Sequence, residues 1–184
     1  MPNKKPSKTF EITLSAISCG LAVIFLLFGT FNRFLLASGY FMGAVCLMLP
    51  LSKNYYLGGA LAYVGTCILA VLFGALGGGW VLVPFVAFFG LHPLANALQR
   101  RFKINGVLAF FVKAIWFDGA LYLTYLLVFG ASVLTPEFEY YQFINDYILL
   151  FIGVLGTAFF IAYDYAMLKC QQAIDGVVYR IKKD

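Results

Sequence analysis

Apolar residues fill this chain in six long runs separated by short polar connections: Phe10–Gly29, Phe34–Leu51, Tyr55–Leu76, Trp80–Leu98, Ile104–Phe129 and Tyr147–Met167. A helix rises ~1.5 Å per residue, so ~20 residues cross a ~30 Å hydrocarbon layer. Each run is about that long. Inside lipid every backbone donor and acceptor must be satisfied within the segment, which makes each run a helix. The pattern therefore predicts an all-α fold: a polytopic bundle of six transmembrane helices.

Composition agrees with this reading. The 184 residues are 62% hydrophobic and only 11% charged, against ~25% charged in soluble domains. The spans leave no room for a separate soluble domain, so one membrane domain over residues 10–168 is expected. A basic, disordered lead (residues 1–9) precedes it and a basic tail (residues 169–184) follows. The first run is too long for the core of a cleaved signal peptide.

Charge supplies the orientation. Of the lysines and arginines, all but Arg33 and Lys113 lie before the first run, on alternate connections, or after the last run. Lys4, Lys5, Lys8, Lys53, Arg100, Arg101, Lys103, Lys169, Arg180, Lys182 and Lys183 make up that side. The positive-inside rule then places both termini in the cytoplasm of a plasma-membrane protein. The net charge of +5 reflects topology and contact with lipid headgroups. No basic face is interleaved with stacking aromatics, so nucleic-acid binding is not expected.

Local signals refine the layout. Ser52-Lys53-Asn54 reads as a tight turn. Trp80 reads as an interfacial anchor of the fourth run, which contains Pro84 and Pro93 and is expected to continue, kinked, as far as Gln99. The connection Gly130–Asp146 is rich in aromatics and is expected to fold back as a cap on the outer end. Beyond the sixth run, Ala173, Ile174, Val177, Val178 and Ile181 recur at helical spacing. They mark either an extension of the sixth helix or a helix lying on the membrane surface.

Few residues carry chemistry. Charges inside a span are costly and face a cavity or a partner. Asp118, Tyr122 and Tyr125 share one face of the fifth run at i, i+4 and i+7, with Trp116 beside them. A carboxylate, phenol hydroxyls and aromatic walls, including Trp80, suit a small polar or cationic solute. The alternative is that Asp118 only pairs with a neighbouring helix. Lys113 lies about 140° round the same helix and either snorkels or bridges to another helix. Asp164 is expected to form a structural ion pair with Lys113, Lys169 or Arg100. His92, beside Pro93, is expected to make a helix–helix hydrogen bond. Cys19, Cys46, Cys67 and Cys170 lack metal-ligand spacing and read as reduced packing residues. No catalytic or nucleotide-binding motif is present, so no enzyme, metal or cofactor is expected.

Small residues mark packing faces. Ala16 and Gly20 are four apart in the first run, and Gly58, Ala62 and Thr66 repeat that spacing in the third. Six spans, inward termini, a small-residue face on the first helix and an aromatic outer loop before the sixth resemble an energy-coupling-factor (ECF) transporter S component. The stretch from Leu61-Ala-Tyr-Val to Phe89-Gly-Leu-His-Pro-Leu, with Arg100-Arg101 and Phe111–Leu127, is similar to Firmicute integral membrane proteins of that layout. The resemblance implies a subunit that binds a vitamin-like micronutrient from outside and relies on a separate transmembrane coupling subunit and ATPase subunits. It implies docking through an AxxxA pattern on the first helix, matched here by Ala16 and Gly20, with glycine replacing the second alanine. A non-transporting membrane scaffold or accessory subunit is the rival reading.

The charge pattern makes a direct prediction. In a variant lacking the native cysteines, a cysteine at Ser132 should react with an impermeant thiol reagent from outside the cell, and one at Lys183 should not. Equal outside labelling of both would overturn the assigned topology.

Overall fold

A computed structural model describes residues 8–74, 79–129 and 147–181, and among them every regular element is helical. The elements are α1 (Lys8–Phe31), α2 (Leu36–Ser52), α3 (Tyr56–Gly74), α4 (His92–Phe102), α5 (Gly106–Phe129), α6 (Ile148–Phe151) and α7 (Thr157–Ile181). A 3-10 turn at Arg33–Leu35 leads into α2. Two irregular helical segments precede α4, and a π-helical segment, Ile152–Gly156, joins α6 to α7. Helix α1 begins at Lys8, so Lys8 and Thr9 are helical where a disordered lead was expected. The proposed cap, Gly130–Asp146, lies outside the described residues.

Among the described residues, four helical stretches are long and apolar enough to cross a membrane: Lys8–Phe31, Tyr56–Gly74, Gly106–Leu127 and Ile148–Val178. Helix α2 is apolar but shorter, with 17 residues. The distribution of side chains decides the solvent. On α3 the inward positions are Gly58, Gly59, Ala62, Thr66, Ala70 and Gly74, whereas Leu57, Leu61, Val64, Ile68 and Leu72 are exposed. On α5 the buried positions include Ala109, Lys113, Ala114 and Ala120, and the exposed ones are Val107, Leu108, Phe111, Val112 and Ile115. The outside is greasier than the inside. In water such surfaces would be an aggregation hazard; in lipid they are the expected arrangement, with small and polar residues at the helix contacts. The apolar helices mark a membrane protein.

The chain packs as two compact units, one formed by residues 1–102 and 167–184 and the other by residues 103–166. In the first unit α1 packs closely on α2 and also on α3. Glycine makes these approaches possible. A Cβ on Gly39 of α2 would lie 2.8 Å from the Phe25 carbonyl oxygen and 2.9 Å from Gly29 Cα, both on α1. Side chains on α3 meet α1 the same way: a Cβ on Gly58 would strike Ser15 Oγ, and one on Gly65 would lie 3.1 Å from Cys19 Sγ. Ser18 of α1 donates to the Cys46 carbonyl of α2 at 2.7 Å, a buried interhelical bond.

The fourth apolar run departs from the expected continuous kinked span. It is a 3-10 turn at Gly79–Leu82, a π-helical segment at Phe85–Phe89, a turn at Gly90-Leu91 and then α4, which has 11 residues. Proline explains the break. Pro84 and Pro93 have no N–H to give, and Pro93 sits where a proline is tolerated, in the first turn of a helix. Two tyrosines occupy carbonyls of the irregular stretch. Tyr40 of α2 donates to the Val81 carbonyl, and Tyr63 of α3 donates to the Val86 carbonyl at 2.7 Å. The Tyr40 ring stacks on Phe89 at 5.4 Å. Gly90 has no room for a side chain, because a Cβ would lie 2.7 Å from the Tyr63 ring.

Past the sixth run the helix simply continues: α7 extends to Ile181. Of the two readings of the tail, extension is the one observed. Val178 is buried and Val177 exposed, so only part of the apolar spacing faces inward. Lys53 Nζ donates to the Val178 carbonyl at 2.9 Å, satisfying a carbonyl in the last turn of the helix.

The backbone contact at Gly39 predicts a sharp contrast. Gly39→Ala should lower stability in detergent by about 1–3 kcal/mol, since the neighbouring atoms are backbone and cannot move aside cheaply. Gly20→Ala, whose Cβ would meet nothing within 4 Å, should be neutral or slightly stabilising. Thermal unfolding of the two variants side by side checks this.

Candidate functional site

Unit 103–166 contains a polar seam built by α5 and the helical rod that starts at Ile148. Its outward faces are apolar, so the ionisable groups in the seam stand out. Lys113 and Asp164 meet at 2.8 Å, with side chains 9% and 11% exposed. Of the partners open to Asp164 from the sequence, the structure brings it to Lys113. Phe110, Phe117, Phe159 and Phe160 pack around the same helix contact, with Phe117 and Phe160 almost fully buried. A buried, hydrogen-bonded ion pair in this setting fixes the register of the two helices. The two opposite charges meet directly, with little access for solvent.

Asp118 is different. Its Oδ2 accepts a hydrogen bond from Thr157 Oγ1 at 3.0 Å. Its Oδ1 is buried and has no hydrogen-bond partner among the described residues. Among the described residues no cation pairs with it. The carboxylate reaches this position because Gly156 has no side chain: a Cβ there would lie 2.9 Å from Asp118 Oδ1. Gly156 ends the π-helical segment Ile152–Gly156. Such single-turn π segments widen a helix locally and concentrate at functional sites. The arrangement is thus a carboxylate seated against a glycine at a helix irregularity, with one acceptor oxygen filled by a hydroxyl and the other open. It can accept one further donor or a cation.

The remaining expected site residues scatter. Tyr122 is 36% exposed, and Trp116 and Tyr125 are half-buried. The side chain of Trp80 lies outside the described residues. Ala16 and Gly20 are exposed on α1, whereas Ser15, Ser18 and Ala22 form its inward face. His92 is fully buried in the first unit, 5.2 Å from the Phe88 ring, with its Nδ1 3.4 Å from Asn96 Nδ2 on the same helix. Among the described residues no cluster of His, Cys, Asp or Glu is placed to hold a metal, and the four cysteines are free thiols.

No family model matches the sequence, and neither a curated protein nor a solved structure is significantly similar to it. The reading of the site therefore rests on its own geometry. Sequence reasoning found Asp118 but missed Thr157 and Gly156. The available signal was the pair Gly153 and Gly156 followed by a threonine, directly after the large apolar residues Ile148–Ile152.

The Lys113–Asp164 pair can be tested apart from any ligand. Lys113→Met leaves a buried carboxylate without its cation and should destabilise the protein by about 3–5 kcal/mol, while the double change Lys113→Met with Asp164→Leu should recover most of that loss. Equal destabilisation by the single and double variants in a denaturant titration would show that the two side chains act independently.

Proposed function

We propose that this chain is the solute-binding membrane subunit of a micronutrient uptake system, of the kind represented by ECF transporter S components. In this reading it crosses the plasma membrane six times with both termini in the cytoplasm. It takes a small polar or cationic solute from the outer face and delivers it with the help of a separate transmembrane coupling subunit and ATPase subunits. The layout of the apolar runs and the distribution of basic residues support the topology.

The observation that carries the solute-binding reading is the half-filled Asp118 carboxylate. An ionisable group in a lipid-embedded segment is functional by default, because desolvating it without a partner is unfavourable. Lys113 and Asp164 satisfy each other. Among the described residues Asp118 has one neutral donor, Thr157, and a buried oxygen left over. A ligand N–H or a cationic group would complete it. Tyr122, one turn further along α5 and partly exposed, offers a phenol on the same face. The exposed Ala16 and Gly20 of α1 are the surface offered to the coupling subunit.

The scaffold reading has one observation in its favour: the Thr157 bond is itself a helix–helix link and would hold the hairpin without any ligand. Two measurements separate the readings. The first is titration calorimetry of the purified protein against a panel of vitamins and cationic micronutrients, beside Asp118→Asn. One lost charge-assisted hydrogen bond corresponds to roughly 1.5–3 kcal/mol, so the variant should bind about tenfold more weakly or worse. The second is purification from cells in mild detergent, in which coupling and ATPase subunits should accompany the wild type. A ligand bound with unchanged affinity by Asp118→Asn would move the site elsewhere. No ligand, no co-purifying ATPase and a lowered melting temperature for Asp118→Asn would establish the scaffold.

A further inference from the structure

A second constellation lies in the other unit, where the turn after α2 meets the end of α4 and its Arg100 and Arg101. Here α2 finishes at Ser52, the chain turns through Asn54 in the left-handed conformation (φ 61°) and α3 starts at Tyr56. Helix α4 ends beside this turn, and α7 contributes Asp175. Between them is a pocket of about 310 Å³ lined by Leu51, Ser52, Asn54, Tyr56, Ala97, Arg100, Arg101 and Asp175.

The donors in this pocket are only partly occupied. Arg100 Nη1 is 3.4 Å from Asp175 Oδ2, and both side chains are nearly half exposed. Charge-assisted bonds of this type close to ~2.7–2.9 Å when fully engaged, so Arg100 holds Asp175 loosely. Asp175 is shared in any case, since Gln171 Nε2 donates to its other oxygen at 2.8 Å. The Arg101 guanidinium lies over the Tyr56 ring at 4.8 Å, a stacking contact that fixes its plane and leaves its N–H edges for another acceptor. Tyr56 donates its hydroxyl to Asn54 Oδ1 at 3.1 Å, which turns the Asn54 amide nitrogen into a further donor. Ser52 gives its proton to the Leu49 carbonyl. The pocket thus presents two guanidinium forks and an amide against one carboxylate, an excess of one positive charge.

Leu51 and Ala97 are the apolar members of its lining. On the same helices as Tyr56 and Arg101, Leu57 and Phe102 are 71% and 66% exposed. A pocket with two planar cationic forks, on helices that expose large apolar side chains to lipid, matches a phosphate that carries acyl chains. We infer that this pocket binds the phosphate of an anionic phospholipid headgroup, held by Arg100 and Arg101 at the ends of α2, α3, α4 and α7. The inference is independent of Asp118 and of the solute reading, because the residues belong to a different unit. A bound headgroup would tie α7 to α4 and to the turn after α2, and Asp175 is the group it displaces from Arg100.

The test uses the full chain in detergent, with phosphatidylglycerol, phosphatidylcholine and inorganic phosphate as probes and native mass spectrometry as the readout. Wild type should retain phosphatidylglycerol over phosphatidylcholine, and Arg100→Gln with Arg101→Gln should reduce that retention on the order of tenfold. A charge-matched control, Lys8→Gln with Lys169→Gln, should leave it unchanged. Equal loss in the control would reduce the effect to general surface charge and overturn the site. Retention of inorganic phosphate as strong as that of the lipid, and lost with the same arginines, would keep the phosphate chemistry but overturn the lipid as its source. If the double arginine variant does not fold, Asp175→Asn decides. It frees Arg100 and should raise phosphatidylglycerol retention severalfold; a fall would overturn the assignment.

Discussion

Gly39 sits so near Gly29 and Phe25 that a single methyl group at that position would drive into backbone atoms of α1. That closeness is the constraint on which the first unit depends. Between helices in lipid, burial of apolar surface supplies no net drive, because the alternative environment is just as apolar. What remains is van der Waals contact and polar bonds, and both require backbones to approach. Small residues at Gly29, Gly39, Gly43, Gly58 and Ala62 allow it, and the large residues are turned outward. Once α1 and α2 are this close, the Ser18 hydroxyl spans to the Cys46 carbonyl. The polar link is a consequence of the glycine contact, not a substitute for it.

The broken fourth run follows from the same economy of polar groups. A proline-containing segment in lipid exposes carbonyls that no water can reach, and these are tolerated only where neighbouring helices supply donors. Tyr40 and Tyr63 are such donors, and each presents a broad ring as well as a hydroxyl. The hydroxyls go to Val81 and Val86, while the rings pack beside Phe85, Phe89 and Gly90. An irregular backbone is therefore built into the bundle by two tyrosines set within otherwise apolar runs.

How far the sequence disclosed this varies by feature. Helix positions were legible because length and apolarity are local: α1, α3 and α5 begin and end within a few residues of the runs read from the chain. The small-residue face of α3 was legible too, since Gly58, Ala62 and Thr66 point inward. On α1 the small-residue pair assigned to partner docking does not mark the inward face. Ala16 and Gly20 face out, and the buried stripe runs through Ser15, Ser18 and Ala22, because the side that packs is set by α2 and α3, not by α1 alone. The fourth run was read as one kinked helix, since a proline announces a lost hydrogen bond but not whether partners exist to stabilise a π-helical segment and a turn at Gly90-Leu91. Asp118 was visible as a misplaced charge. Its bond to Thr157 was not, because pairing across 39 positions depends on the register of two helices.

That register is what gives the two acidic residues of the second unit unequal chemistry. The Lys113–Asp164 contact pins α5 against α7, and Thr157 and Asp118 lie on the same pair of helices, seven residues earlier on one and five later on the other. With the helices antiparallel, those offsets bring the hydroxyl opposite the second carboxylate, and the glycine at the end of the π-helical segment opens the space for it. Asp164 thereby receives a full positive charge and Asp118 receives only a dipole. Adding a ligand to Asp164 would mean separating a buried ion pair, which is costly in a medium of low polarity. Adding one to Asp118 breaks nothing and fills an open acceptor. Of the two carboxylates in the seam, Asp118 is the one that, among the described residues, can gain a partner without losing one.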